Sequence, residues 1–158
     1  MKTLIVYATK YGATEKAAKK LAEQLNGEVD LVNLKHTPMP NVDAYERVIA
    51  GTAVYAGTIR GEAKQFCAEY QQTLLQKPFS LFVCCGNEDQ AREQLTANLD
   101  AQLLEHAALI GSFGYEYDFA KLNFFFKLVI RKVAKVTTSQ FNLRDENIRA
   151  FAAQLNAA

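Results

Sequence analysis

The chain has 158 residues, 49% of them apolar, 22% charged and 11% aromatic, which suits one compact domain and excludes a disordered chain. Eighteen Lys and Arg against 17 Asp and Glu leave a net charge of +1, so the electrostatic case for binding nucleic acid is absent. No run of ~18 apolar residues could span a bilayer, and MKTLIVYATKYG lacks the apolar core and cleavage site of a secretory signal, so a cytoplasmic protein is expected.

In chain order, LIVYA (4–8) is a continuous apolar run of strand length. Ala13, Ala17, Ala18, Leu21, Ala22 and Leu25 then repeat at helical spacing, and Asn26-Gly27 offers a helix stop. EVDLVNL (28–34) reads as a second strand and His36 to Pro40 as a turn. RVIAGTAV (47–54) is the third strand, followed by a helix carrying Ala63, Phe66, Cys67, Tyr70, Leu74 and Leu75 on one side. FSLFVCC (79–85) is the fourth strand, and residues 88–105, rich in Glu, Gln, Ala and Leu, form a helix. ALIGSFGYEY (108–117) is the fifth strand with its exit, and NLRDENIRAFAAQL (142–155) the last helix.

Strands alternating with helices predict an α/β domain over 1–158, its parallel sheet covered on both faces. Residues 119–141 break the alternation and read as an insertion. Charge is segregated there: residues 1–118 carry a net −4, whereas 119–143 hold Lys121, Lys127, Arg131, Lys132 and Lys135 without one acid. On a helical wheel these cations share an arc of roughly 140°. Leu122, Phe125, Phe126, Val129, Ile130, Val133 and Val136 lie opposite, with Phe124 and Leu128 among the cations. Two readings stay open, packing on the domain with a solvated basic face, or peripheral contact with an anionic membrane at the inner face of the cell.

The loop after the first strand, Thr9-Lys10-Tyr11-Gly12-Ala13-Thr14, has the chemistry of an anion cradle. A helix start offers unpaired N–H groups, two threonines add hydroxyls, and Gly12 lets backbone come close. The simpler reading has Thr14 capping the helix. Neither G-x-x-x-x-G-K-[ST] nor G-x-G-x-x-G is present, against a nucleoside triphosphate or an NAD fingerprint. Cys67, Cys84 and Cys85 form no disulfide framework, and neither they nor His36 and His106 have metal-ligand spacing.

T-x-x-G-x-T after an N-terminal strand resembles the phosphate loop of flavodoxin-like proteins. The resemblance extends over nearly the whole chain, through Ala50 to Gly57 and the closing helix. The aromatic, basic insertion running from Tyr115-Glu116-Tyr117 to Lys135 is similar to that of the menaquinone-dependent protoporphyrinogen IX dehydrogenase branch. This resemblance implies a doubly wound five-stranded parallel sheet in the order 2-1-3-4-5, non-covalent FMN, and electron flow from a porphyrinogen-type substrate to a quinone. A flavodoxin-type electron carrier with another redox partner is the alternative.

The ligand of such a sheet sits beyond the C-terminal strand ends. Besides residues 9–14, the expected cofactor contacts are Thr52, Ala53, Val54, Tyr55, Ala56 and Gly57, with Tyr55 as a plate against the flavin, and Cys85, Gly86 and Asn87. The third loop lacks the aromatic that carrier flavodoxins usually place there. No side chain is assigned a catalytic role, since the flavin itself carries the chemistry.

Overall fold

A computed structural model describes the chain except for residues 56, 88–90, 134 and 136 and the side chains of Tyr55 and Val133. Five strands run parallel: β1 (Lys2–Tyr7), β2 (Glu28–Asn33), β3 (Arg47–Tyr55), β5 (Phe79–Cys84) and β6 (Leu109–Ser112). Their order across the sheet is β2-β1-β3-β5-β6, which counts as 2-1-3-4-5 among the parallel strands alone. The strand count differs from the sequence reading. A two-residue strand β4 (Thr58–Ile59) turns back antiparallel on β3, giving the central sheet a sixth member. A separate ribbon pairs β7 (Gly114–Tyr117) with β8 (Gln140–Leu143).

Both faces of the sheet are buried, which is why β1 and β5 lack polar alternation. Ile5, Tyr7, Ile49 and Phe82 point to one side, against α1 (Ala13–Ala22) and α7 (Asp145–Ala157). Leu4, Val6, Val48 and Leu81 point to the other, against α2 (Gly61–Glu69), α3 (Gln71–Leu74) and α5 (Ala101–His106). The expected 88–105 helix is two helices, because Asp100 caps the start of α5 by accepting from the Gln102 N–H and so interrupts α4 (Ala91–Asn98). At the far end, buried Arg47 donates to the Thr3 hydroxyl and the Leu155 carbonyl, tying β1 and β3 to the last turn of α7.

The run read as the fifth strand with its exit breaks at Phe113-Gly114, and the exit is itself a strand. Phe113 is fully buried, stacked on Phe82 at 4.7 Å and edge-on to Phe151 at 5.2 Å. Gly114 follows at φ 81, where a Cβ would collide with the Asn142 carbonyl. The chain therefore leaves the sheet and pairs with residues 140–143, which consequently are strand, and the last helix starts at Asp145 instead of 142. Between β7 and β8 lies α6 (Phe124–Val133). No helix among the described residues is long and apolar enough to cross a membrane.

Candidate functional site

The first loop starts α1 by a device other than the Thr14 cap of the simpler reading. Gly12 is the N-cap, at φ 98, and its N–H donates to the Thr9 hydroxyl at 2.9 Å. The positive φ is one that glycine adopts without steric cost. Thr14 sits inside the helix, fully buried, and its hydroxyl finds no hydrogen bond of good geometry. Its polar neighbour is the Cys84 thiol, which burial pushes up to about 12. The N–H groups of Ala13, Thr14 and Glu15 occupy the first turn, where a helix supplies no acceptor. An anion seated there would meet both these donors and the partial positive charge of the helix start.

The insertion packs on this loop. Phe126 meets Tyr11 edge-on at 5.6 Å, and the Lys10 ammonium stands 3.5 Å from the centre of the Phe126 ring. Burial, followed by the charges of Arg60 and Lys35, lowers the Lys10 pKa. Leu122 and Ile130 are buried beneath, in one cluster with Tyr11, Tyr117, Phe119 and Phe126. Phe125, which the wheel places with the packing residues, is 68% exposed, beside Phe124 at 76% and Leu128 at 46%.

The second expected segment is mostly strand. Thr52 is buried, and its hydroxyl accepts from the Arg60 N–H at 3.2 Å, which fastens β4 to β3. Ala53 and Val54 are also in β3, Tyr55 ends it by pairing with Thr58, and Gly57 lies exposed at the hairpin tip. The plate assigned to the Tyr55 side chain, and the contact assigned to Ala56, lie outside the described residues.

In the third segment the Cys85 thiol is within 3.0 Å of the Asn87 carbonyl and 3.1 Å of the Gln94 amide oxygen, so its single proton braces the turn. Gly86 and Asn87 are exposed. The hydroxyl of Tyr117, on β7, lies where a Cβ on Gly86 would stand. An aromatic side chain thus stands against residues 85–87 from β7, where Tyr117 is tilted against Tyr115 at 5.1 Å. In the sequence both tyrosines read as the exit of the fifth strand and the start of the insertion, and neither is among the expected cofactor contacts.

A shallow cleft gathers Ala13 from the first segment, Ala53 and Val54 from the second, Cys85 and Gly86 from the third, and Tyr115 to Tyr117 from β7. It lies at the C-terminal edge of the sheet, where β1 and β3 send their chains in opposite directions, the place where doubly wound sheets hold ligands. Glu116 is held against α1 by Lys16 at 2.9 Å. Two larger hollows are lined by α2 and its neighbours and include none of the three expected segments.

A family model described as "Flavodoxin domain" matches residues 4–143. Protoporphyrinogen IX dehydrogenase [quinone] of Escherichia coli K12 is 27% identical over 85 residues, 52% of this chain and 47% of the relative. The matched part spans about half the length of that curated relative. Among solved structures, a short-chain flavodoxin associated with a non-canonical PDU bacterial microcompartment aligns with TM-score 0.63 and 17% identity, covering 98% of this chain and 96% of that one. A flavodoxin, WrbA-like protein from Agrobacterium tumefaciens gives 0.61 at 18% identity, covering 99% and 95%. At such identities the likeness speaks for the α/β flavodoxin-like fold.

Proposed function

The chain belongs to the flavodoxin family, and from that membership we propose an FMN-binding oxidoreductase that takes electrons from a porphyrinogen-type substrate and delivers them to a quinone. The observation that carries the cofactor reading is the first loop. Thr9, Gly12 and the first turn of α1 form an anion cradle at the switch point of the sheet, and the buried Thr14 hydroxyl beside it has the Cys84 thiol as its polar neighbour and no hydrogen bond of good geometry. A phosphate group fits such a donor set. Substrate and acceptor rest on the partial similarity to the E. coli dehydrogenase.

When bound, the flavin supplies the hydride and electron exchange. The protein's part is binding and positioning. The Thr9 and Thr14 hydroxyls and the N–H groups of Ala13, Thr14 and Glu15 would hold the phosphate, while Ala53, Val54, Gly86 and Tyr117 would border the ring and exclude water. Tyr117, its pKa raised by burial, stays protonated near neutrality and is able to donate a hydrogen bond. Cys84 likewise keeps its proton and is no nucleophile. The basic, aromatic exposed side of α6 supports a second element of the proposal, peripheral docking on an anionic membrane in which a quinone dissolves.

The experiment is a visible spectrum of the purified protein, followed by oxidation of protoporphyrinogen with menadione as acceptor. A flavin spectrum with acceptor-dependent turnover is the expected result. Bound flavin without turnover would favour the electron carrier, and protein that fails to bind FMN would overturn the cofactor assignment.

A further inference from the structure

The loop residues 9–14 contain one cation, Lys10, and it is turned onto the Phe126 ring, 3.5 Å from its centre. A different ammonium faces the loop. Apart from the residues adjoining Gly12 in the chain, the space where its Cβ would stand has one neighbour within 4 Å among the described residues, the Lys121 Nζ at 3.9 Å. Lys121 arrives from the insertion, more than a hundred residues away along the chain. Its position is defined locally. The Asp118 carbonyl accepts from the N–H groups of Lys121 and Leu122, and the Asp118 carboxylate accepts from the Ala120 N–H. Leu122 is buried with Tyr11 and Phe126, so the turn is pinned to the loop it overlooks. Among the described residues Lys121 forms no ion pair, whereas Lys16, Lys19 and Lys20 on α1 each have a carboxylate partner.

A phosphate monoester carries close to two negative charges at neutral pH. The first turn of α1 offers neutral donors and a partial charge, and Glu15 in that turn has its own cation, Lys19, at 2.6 Å. The side chain placed to balance the anion is therefore Lys121. We propose that Lys121 is a phosphate ligand of the cofactor, selecting the phosphorylated flavin over riboflavin and fastening the insertion across the cradle. This inference rests on the FMN reading above. It makes the insertion part of the cofactor site and not merely a neighbour of it.

The test titrates apo-protein with FMN and, separately, with riboflavin, following quenching of flavin fluorescence. Lys121→Met keeps the aliphatic stem and removes the charge, and Lys121→Arg keeps the charge. Loss of a charge-assisted bond should weaken FMN by ~10-fold or more in Lys121→Met and flatten its salt dependence. Riboflavin affinity, set by the ring site, should stay within about twofold, and Lys121→Arg should hold FMN nearly as wild type does. Equal loss of FMN and riboflavin would assign Lys121 a packing role and overturn the proposal, as would unchanged FMN affinity in Lys121→Met. In either of those cases the FMN reading survives through the wild-type titration. Wild-type protein that binds neither flavin overturns both.

Discussion

The phenol oxygen of Tyr117 occupies the place that a Cβ on Gly86 would take. One residue is on the turn after β5 and the other on β7, 31 positions later, so their fit couples the turn at 85–87 to the ribbon that carries the insertion. Gly86→Ala should force the Tyr117 ring aside and destabilise the fold by ~1–3 kcal/mol, the usual cost of overpacking. In a Tyr117→Phe background, with the obstructing oxygen gone, the same substitution should cost clearly less. Urea denaturation of the four proteins in this cycle checks the coupling, and equal costs in both backgrounds would exclude it.

The two threonines of the first loop should differ in what they do for the apo-protein. Thr9 accepts from the Gly12 N–H, so Thr9→Ala removes a loop bond and lowers the stability of the apo-protein by ~0.5–1.5 kcal/mol. Thr14 keeps its hydroxyl buried, with the Cys84 thiol as its polar neighbour and no hydrogen bond of good geometry. Replacing it by Ala should change the stability of the apo-protein little, because the hydroxyl gains little from that neighbour. In both variants FMN affinity should fall by about tenfold or more, since a hydrogen bond to a charged group is worth ~1.5–3 kcal/mol. Thermal melts without flavin and titrations with FMN separate the two effects.

The buried thiols predict an alkaline weakness. Burial pushes Cys67 and Cys84 up to about 12 from an ordinary value of 9.0. Between those values the unfolded chain releases protons that the folded chain retains, so stability falls as pH rises. Each thiol contributes a slope of ~1.4 kcal/mol per pH unit in that window. A Cys67→Ala/Cys84→Ala variant should show a flatter decline of stability with pH between 9 and 12 than wild type. At neutral pH both thiols should resist a disulfide reagent until the protein unfolds.

The parallel core was legible because its signals are local. Continuous apolar runs such as LIVYA and FSLFVCC mark strands buried on both faces, and the helical spacing of Ala17, Ala18 and Leu21 marks the covering helix. The ribbon was not legible. The β7 partner of Asn142 is Tyr115, 27 residues earlier, and nothing around either residue announces the pairing. Locally, 142–144 continues naturally into the α7 pattern, and only the requirement to pair with Gly114 to Tyr117 makes it extended. The same long-range packing explains why an aromatic side chain stands against residues 85–87 from β7. It also explains why Phe126 covers Tyr11 while its neighbour Phe125 faces outward.

That outward face yields the last prediction. Phe124, Phe125 and Leu128 are exposed on α6, Arg131 and Lys132 are exposed with them, and no acid occurs between residues 119 and 143. Packing of Leu122, Phe126 and Ile130 on the first loop leaves these side chains on the opposite surface, so inward packing and outward docking are compatible readings of one helix. An amphipathic helix of ten residues lies in the headgroup plane and does not cross it. Each cation near an anionic leaflet contributes ~1 kcal/mol, and the exposed phenyl rings add apolar burial. The expected outcome is co-sedimentation with vesicles containing anionic lipid, weakened by salt and absent with zwitterionic vesicles. An Arg131→Glu/Lys132→Glu variant should lose the electrostatic part, and Phe124→Ser/Phe125→Ser the part that survives high salt. Phe125 meets Phe126 edge-on at 5.9 Å and so adjoins the loop cover. Arg131 and Lys132 are exposed away from the cradle, and FMN affinity in the Arg131→Glu/Lys132→Glu variant should match wild type. Wild-type protein that stays in the supernatant with anionic vesicles at low salt would restrict the role of α6 to covering the loop.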